Sequence, residues 1–440
     1  MDNRIIQPER ALKPAIIVGL QKNTDSHEKT VSELEELGQL LATLGIATAA
    51  QIIQKQRTKL SPSHLLGLGK VEEICELVLT HSAGLVVIDH PLTGPQIRNL
   101  ESLTKCQVLD KTAIILDIFA KHAHSNYAKT QVEIAQLEYL LPHLAGAWTH
   151  FGKQKGGGIN RGMGEKQIEV DRRRARDRIA RLNRKLEQIS IEKAEQRKKR
   201  QNELKVSLVG YTNCGKTTIM KGLTRSLIEG KNELFATLDA SVRVLDPGTR
   251  PRILLSDTVG FIRNLPHSLV VSFKSTLEEV VNADLLLHVV DVSIENYAMQ
   301  IETTNAVLAE IGAKDIPTIL LFNKVDQCQE VFLPKILKRN YPNSLVISAL
   351  DAADILKLRE HIFSYFLSQF DLLKIELAVV ETLVLSKIHQ SCVILSEDYE
   401  KEGWVSFTLR VPKSLVGELS RFEVGRSNKE FHDDYSQAKP

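Results

Sequence analysis

The sequence predicts an α/β chain of three folded parts, and three patterns predict it. Short apolar runs alternate with helix-spaced leucines over the first 125 residues. A seven-residue seam of apolar positions then crosses a highly charged stretch. Beyond it, successive apolar runs each end in a turn led by Gly, Asp, Asn or Ser, as in a doubly wound sheet whose strands deliver a site at their carboxyl ends. Length agrees, because 440 residues at roughly 150 per domain make about three domains. With 43% hydrophobic and 25% charged residues, a disordered or collagen-like chain is excluded.

Each element follows in order. PAIIVGL (Pro14–Leu20) reads as a strand, Leu34, Leu37, Leu41 and Leu44 as one helix face, and TAAQIIQ as the next strand. A loop with Gly67 and Gly69 leads to a helix from Val71 and to the strand GLVVIDH (Gly84–His90). This predicts a small parallel α/β domain over residues 1–125. Residues 126–203 read as an antiparallel helical hairpin. Ile134, Leu137, Leu141 and Leu144 line its first arm; Ile168, Ala175, Leu182 and Ile189, with Ile179 and Leu186, line its second. The arms flank a loop over 145–164, and a second arm of 165–203 would be about 58 Å long. A doubly wound domain over 204–370 and a small α+β domain over 371–425 complete the fold. The latter is read as a helix-compatible segment after Gln369, a strand near Cys392–Leu395, a Lys401-Glu402-Gly403 turn and the strand Trp404–Val411. The polar tail 426–440 is expected to be disordered.

The net charge of +3 conceals an uneven distribution. Between Lys153 and Lys205 stand 18 Lys+Arg and 8 Asp+Glu, leaving 39 basic and 46 acidic residues elsewhere. A local +10 against −7 points to a polyanionic partner, although a solvated helix face is the alternative. Within it, Gly156-Gly157-Gly158-Ile159-Asn160-Arg161-Gly162-Met163-Gly164, flanked by Lys153 and Lys155, offers backbone that could approach phosphates closely. Five scattered cysteines form no CxxC pair, which fits a reducing cytosol. No run approaches the length of a membrane span and no signal-peptide core is visible, so a cytoplasmic chain is expected.

The chemistry begins where the strand KVSLVG (Lys205–Gly210) meets Gly210-Tyr211-Thr212-Asn213-Cys214-Gly215-Lys216-Thr217-Thr218 and a helix. This is G-x-x-x-x-G-K-[ST] in its strand–loop–helix setting, where backbone N–H groups wrap phosphates. Lys216 would neutralise the β- and γ-phosphates, and Thr217 would ligate Mg²⁺. The motif alone does not choose between ATP and GTP. Arg252–Leu255 leads into Asp257-Thr258-Val259-Gly260, where the carboxylate could reach Mg²⁺ through water and the Gly260 N–H could meet the γ-phosphate. Thr318–Phe322 ends at Asn323-Lys324-Val325-Asp326. Asp326 can accept hydrogen bonds from guanine N1–H and N2–H₂, which adenine lacks. Asn323 would brace the loops around the base, and the Lys324 stem would lie along the ring. Ser344–Ile347 delivers Ser348-Ala349-Leu350, where a backbone N–H could meet guanine O6. In between, Phe235-Ala236-Thr237 offers Thr237 as the second Mg²⁺ hydroxyl. Lys216, Thr237 and Gly260 thus carry the catalytic load, and Thr217 and Thr237 the metal. Position 261, where many GTPases place the water-orienting Gln, is Phe261, so a slow intrinsic rate is expected, with a partner, potassium ion or rearranged loop completing the site. Arg263 and His267 read as switch or partner contacts rather than catalytic groups.

With these residues in hand, the chain resembles the HflX family of ribosome-binding P-loop GTPases along nearly its whole length. LGLGKVEEI (Leu66–Ile74), Leu116–Leu144, GGGINRGMGEKQIEVDRRR (Gly156–Arg174) and Asp257–Glu279 carry the likeness together with the nucleotide motifs. The resemblance implies GTP hydrolysis stimulated by the ribosome and binding chiefly to the large subunit and its rRNA. It also implies splitting of stalled or idle ribosomes and a Gly-rich loop reaching towards the peptidyl-transferase region; separately, a monomer is expected. Departures are Cys214 for the usual Ala, Thr217 for Ser, Met163 for Pro, Leu-Asp-Ala-Ser-Val-Arg after Thr237 for Leu-Asp-Pro-Thr-Thr-Arg, and His122 and His124 for Arg. Thr217 keeps the hydroxyl, and Cys214 reads as a shielded thiol rather than a redox sensor. Some relatives bind ATP in the N-terminal part; here only Gly67, Gly69 and Lys70 are candidates, and a plain turn is the preferred reading. His122, His124, His143 and His150 lack the companions of a metal site. Two alternatives stay open: a ribosome-assembly GTPase of the Obg or Era type, and an RNA-binding module whose affinity GTP regulates.

Overall fold

A computed structural model describes residues 5–7, 13–56, 60–147, 161–198, 203–224, 234–235, 237–239, 241–248, 250–263, 277–330, 332–399 and 403–424. Four strands, β1 (Ala15–Gln21), β2 (Thr48–Lys55), β3 (Leu85–Ile88) and β4 (Gln107–Asp110), form a parallel sheet in the order β2-β1-β3-β4. Helices α1 (His27–Thr43), α2 (Leu68–Thr80), α3 (Gly94–Thr104) and α4 (Lys111–His122) alternate with them. Leu34, Leu37, Leu40 and Leu41 of α1 are fully buried because their 3- and 4-residue spacing lays them on one face. β4 escapes the sequence reading: it is only four residues long and its last one, Asp110, doubles as the N-cap of α4, accepting the Ala113 N–H at 3.0 Å.

Helices α5 (Asn126–Ala147) and α6 (Arg161–Lys198) form the long hairpin. Leu182 is buried and Ala175, Ile179, Leu186 and Ile189 are half-buried, while most residues between them are exposed, as the seven-residue seam requires. Arg178 Nε donates to Glu133 at 2.8 Å between the arms. The helices extend further than expected at both ends of the connection. Residues 145–147 continue α5, and Arg161, Gly162, Met163 and Gly164 open α6. Thirty-eight residues make α6 about 57 Å long. Lys153, Lys155 and Gly156–Asn160 lie outside the described residues, as do His150, the Lys401-Glu402 part of the last turn and the tail. The side chains of Leu144 and Ile168 also lie outside the description.

The middle sheet has six strands: β5 (Leu204–Gly210), β6 (Ser241–Val244), β7 (Ile253–Asp257), β8 (Leu285–Asp291), β9 (Thr318–Asn323) and β10 (Leu345–Val346), ordered β10-β9-β8-β5-β7-β6. Only β6, at the edge, is antiparallel to its neighbour. Its helices are α7 (Lys216–Thr224), the single turn α8 (Glu278–Val281), α9 (Tyr297–Glu310), α10 (Leu333–Asn340) and α11 (Ala352–Ser368). The last sheet, β11 (Asp371–Ala378), β12 (Val393–Asp398) and β13 (Trp404–Val411), is antiparallel in the order β11-β13-β12 and packs on α12 (Thr382–Ser391) and α13 (Lys413–Leu419). The segment after Gln369 thus begins as a strand, not a helix. Leu373, Ile375 and Leu377 all face inward, a two-residue period that the sequence already contains.

One contact between parts matters below. Tyr211, Leu234, Phe235, Leu238, Val259 and Ile262, all from the middle part, are buried in the same apolar cluster as Leu34, Leu37, Phe119 and Val132 of the N-terminal part.

Candidate functional site

The site is assembled from strand ends. β5 and β7 are neighbours, and so are β9 and β10, so the turns after Gly210, Asp257, Asn323 and Val346 share one edge of the sheet. The turn after β5 is tight: Gly215 takes φ +99°, and a Cβ there would stand 2.2 Å from Asn323 Nδ2. Opposite it, a Cβ on Gly260 would lie 2.8 Å from Thr212 Cα and 3.0 Å from Lys216 Nζ. Only glycine at these two positions lets the neighbouring backbones come this close. The Lys216 ammonium is buried within this narrow space, donating to the Tyr211 carbonyl at 2.8 Å and the Gly210 carbonyl at 3.2 Å.

Three oxygens converge beside it. Thr217 Oγ1 donates to Asp257 Oδ2 at 2.7 Å, Thr237 Oγ1 donates to the same oxygen at 3.1 Å, and the two hydroxyls are 3.0 Å apart. Asp257 is buried, and its other oxygen, Oδ1, has no hydrogen-bond partner among the described residues. Burial pushes this carboxyl up from its ordinary range, while Lys216 and the two hydroxyls pull it back. Two hydroxyls and a carboxylate with an orphaned buried oxygen are a hard-oxygen donor set of the kind Mg²⁺ takes with phosphates, so the residues present fit that ion.

The two turns expected to meet the base are braced by Asn323, while their backbone donors are engaged differently from the expectation. Asn323 is buried; its Nδ2 donates to the Cys214 carbonyl at 2.8 Å and its Oδ1 accepts the Ala349 N–H at 2.9 Å. Lys324 sits at φ +65° with its ammonium 2.6 Å from Asp291 Oδ2, and Asp326 is exposed on the following turn. The sequence reading leaves a Ser348 or Ala349 N–H for guanine O6. Both are engaged here, Ala349 by Asn323 and Ser348 by Asp354 Oδ2 at 2.9 Å, while the Leu350 N–H makes a long 3.3 Å bond to Ser348 Oγ. Asp354, the residue that takes the Ser348 N–H, lies in the first turn of α11, where a carboxylate is favoured by the helix dipole.

Other site residues fall as follows. Asn213, at φ +59°, is exposed; Thr218 is half-buried; Thr258 is buried and donates to the Leu208 carbonyl at 2.7 Å. Val259 joins the cluster shared with the N-terminal part. Ala236 and His267 lie outside the described residues. Phe261 is 2% exposed and packs with Val209, Leu277, Val280 and Leu286, while its backbone pairs with Gly210 and Thr212. Its ring is therefore a core residue, not a group placed towards phosphate. The Arg263 N–H donates to the Tyr211 hydroxyl at 2.8 Å. Cys214 is fully buried, and burial pushes its thiol up, as a shielded rather than reactive group requires. Away from this edge, Lys70 pairs with Glu73 at 2.7 Å, and both ring nitrogens of His143 lie on carbonyls, of Tyr139 and Leu92.

Two participants escaped the sequence reading. Asp291 ends the apolar run of β8 as Asp257 ends that of β7, so position alone could have flagged it as the partner of Lys324. The Tyr211 hydroxyl, which donates to Glu36, had no such signal, because the two residues are far apart in sequence.

Comparison with known proteins is consistent along the chain. Residues 31–120 match the model of the GTP-binding GTPase N-terminal region, residues 122–200 that of the GTP-binding GTPase middle region, and residues 205–324 that of the 50S ribosome-binding GTPase. The chain is 37% identical over 438 residues to the GTPase HflX of Gluconacetobacter diazotrophicus, covering 91% of this chain and 96% of that one. It is 48% identical over 311 residues to the GTPase HflX of Flavobacterium psychrophilum, covering 71% and 75%. The GTPase HflX of Escherichia coli K12 shares 39% over 391 residues, covering 88% and 91%. Among solved structures, a complex of SsGBP with GDP shares 26% identity, spans 80% of this chain and 98% of that one, and has a TM-score of 0.46. No helix among the described residues is long and apolar enough to cross a membrane.

Proposed function

The chain belongs to the HflX family of GTPases, and from that premise we propose that it is a ribosome-binding factor, acting chiefly on the large subunit and splitting stalled or idle ribosomes. The observation that carries the proposal is the joining, in one chain, of the strand-end cluster of Lys216, Thr217, Thr237, Asp257 and Asn323 to a long basic hairpin. The concentration of 18 Lys+Arg against 8 Asp+Glu between Lys153 and Lys205 supports an RNA partner, and the matched 50S ribosome-binding GTPase model supports a large-subunit one.

The residues act in defined ways on this reading. Lys216 leaves the two carbonyls and neutralises the β- and γ-phosphates of GTP. The Gly260 N–H holds the γ-phosphate. Thr217 and Thr237 supply hydroxyl ligands to Mg²⁺, with Asp257 holding both hydroxyls in place. When bound, the ion offsets charge that builds on the phosphate oxygens during transfer. Asp326 selects guanine through its N1–H and N2–H₂, and Asn323 keeps the flanking turns in register. With the Phe261 ring buried, no side chain at that position orients the attacking water, which supports a slow intrinsic rate raised by the ribosome.

Co-sedimentation of the full chain with 70S ribosomes and isolated large subunits tests this, using a non-hydrolysable GTP analogue and GDP in parallel. Strong pelleting with the analogue and weak pelleting with GDP is expected. Equal, weak pelleting in both would reject it. Tight binding to naked rRNA, unaffected by Lys216→Ala or Asp326→Ala, would instead favour an RNA-binding module regulated by GTP.

A further inference from the structure

Contacts on both sides of Thr237 fasten its segment to the N-terminal part. Two residues before it, Phe235 takes φ +57°, a conformation costly for a bulky side chain. Its ring meets Phe119 of α4 edge-on, with centroids 4.8 Å apart and planes at 84°. One residue after it, Leu238 is 2% exposed in the same apolar cluster. Two residues after it, the Asp239 carboxylate accepts the Ser125 N–H at 2.9 Å and the Ser125 hydroxyl on its other oxygen. Ser125 immediately precedes α5: its hydroxyl accepts the Ala128 N–H at 3.0 Å and its carbonyl the Lys129 N–H at 3.0 Å. Asp239 therefore sits at the N-terminus of a 22-residue helix, where the dipole favours negative charge.

A loop that reached the metal position unaided would carry the ordering cost of every residue fixed. Here the residues on either side of Thr237 are held by another part of the chain, and Thr237 itself stands 3.0 Å from Thr217. We propose that the N-terminal part is a component of the GTP site. Through Phe119 and Ser125 it holds the 235–239 segment so that Thr237 meets the metal and the γ-phosphate, which makes Phe235 and Asp239 positioning residues. This rests on the GTP–Mg²⁺ reading above and extends it. Because coupling is reciprocal, a docking that favours the triphosphate geometry is itself favoured by the triphosphate. The first arm of the hairpin begins at Ser125, so the γ-phosphate orders the start of the element proposed to meet RNA.

A second tie isolates the effect. The Tyr211 hydroxyl donates to Glu36, which also pairs with Lys111 at 2.6 Å. Cutting the Asp239 contact therefore leaves the two parts joined at the loop after β5 and through the shared core.

The experiment uses the full chain with Mg²⁺, fluorescent GDP and a fluorescent non-hydrolysable GTP analogue. Ser125→Ala, which removes the hydroxyl's bond to Asp239 and keeps the backbone one, should weaken the analogue about tenfold, and Asp239→Ala, which removes both, by at least about tenfold, each leaving GDP within about twofold. Ser125→Thr, which keeps the hydroxyl, should restore analogue affinity. In the unsubstituted protein, amide exchange over residues 126–130 should be slower with the analogue than with GDP, and Asp239→Ala should abolish that difference. Equal weakening of both nucleotides, no weakening of either, or exchange indifferent to the nucleotide would overturn the proposal. Should Asp239→Ala fail to fold, Ser125→Ala and the exchange comparison in the unsubstituted chain decide it. If the unsubstituted chain bound neither nucleotide, the GTP reading itself would fall, a different result from any of these.

Discussion

Asn323 offers the most demanding prediction, because its two hydrogen bonds join the turn after β5 to the turn after β10. Asn323→Ala leaves the Cys214 carbonyl and the Ala349 N–H without their partner, 2.8 Å and 2.9 Å away in the native structure. An unsatisfied buried group costs about 1–3 kcal/mol, so two cost roughly 2–6 kcal/mol before relaxation. Only the share recovered when a nucleotide re-orders both turns appears in affinity; taking about half gives 1–3 kcal/mol, or roughly five- to 150-fold weaker binding. Asn323 belongs to the turn proposed to recognise the base, which GDP and the GTP analogue share, so both nucleotides should weaken. Asn323→Asp sharpens the test. It preserves shape and the acceptor for Ala349, but sets a carboxylate oxygen against the Cys214 carbonyl, replacing a donor with a repulsive contact. Fluorescent-nucleotide titration of both variants, with thermal unfolding in parallel, reads the outcome. If Asn323→Asp bound guanine nucleotides as tightly as the unsubstituted chain, volume and not hydrogen bonding would hold the turns, and the reasoning would fail.

Three further outcomes follow from particular side chains. Phe261→Gln should not create a fast GTPase; replacing a ring buried among Val209, Leu277, Val280 and Leu286 should cost about 3–5 kcal/mol, and a stable variant with faster hydrolysis would contradict the core role. Cys214 should react with iodoacetamide at least ~100-fold more slowly in the folded chain than in urea, whereas prompt labelling would refute the shielded thiol. His288 is buried in β8 and burial pushes its pKa down to about 4 from 6.5. Between those values the unfolded chain binds a proton that the folded chain refuses, so stability falls as pH drops. From pH 7 to 5 this amounts to about 2 kcal/mol, which His288→Leu should abolish in a comparison of unfolding at the two pH values.

Much of the fold is written in local pattern. Val206, Leu208 and Val209, and Leu285 to Leu287 with Val289 and Val290, are buried on both faces of central parallel strands, and their stretches read as strands because apolar residues dominate them. The hairpin seam was equally legible, since Leu182 and its neighbours recur every heptad. β11 was missed although Leu373, Ile375 and Leu377 alternate, because the same stretch also tolerates helical spacing. In the site, Asn323 braces the turns as its motif implies, and the cluster of Thr217, Thr237 and Asp257 follows from motif order. The engagement of the Ala349 N–H by Asn323 and the Ser125–Asp239 tie were not legible. They depend on which backbone donors are already satisfied and on residues far apart in sequence meeting across parts, neither of which a local pattern encodes.

Hydrolysis of GTP by the full chain, followed with and without purified large ribosomal subunits at fixed Mg²⁺, bears most directly on the central proposal. A slow basal rate that large subunits raise by more than about tenfold, and that Lys216→Ala abolishes, is the predicted result. A rate that large subunits leave unchanged would contradict it.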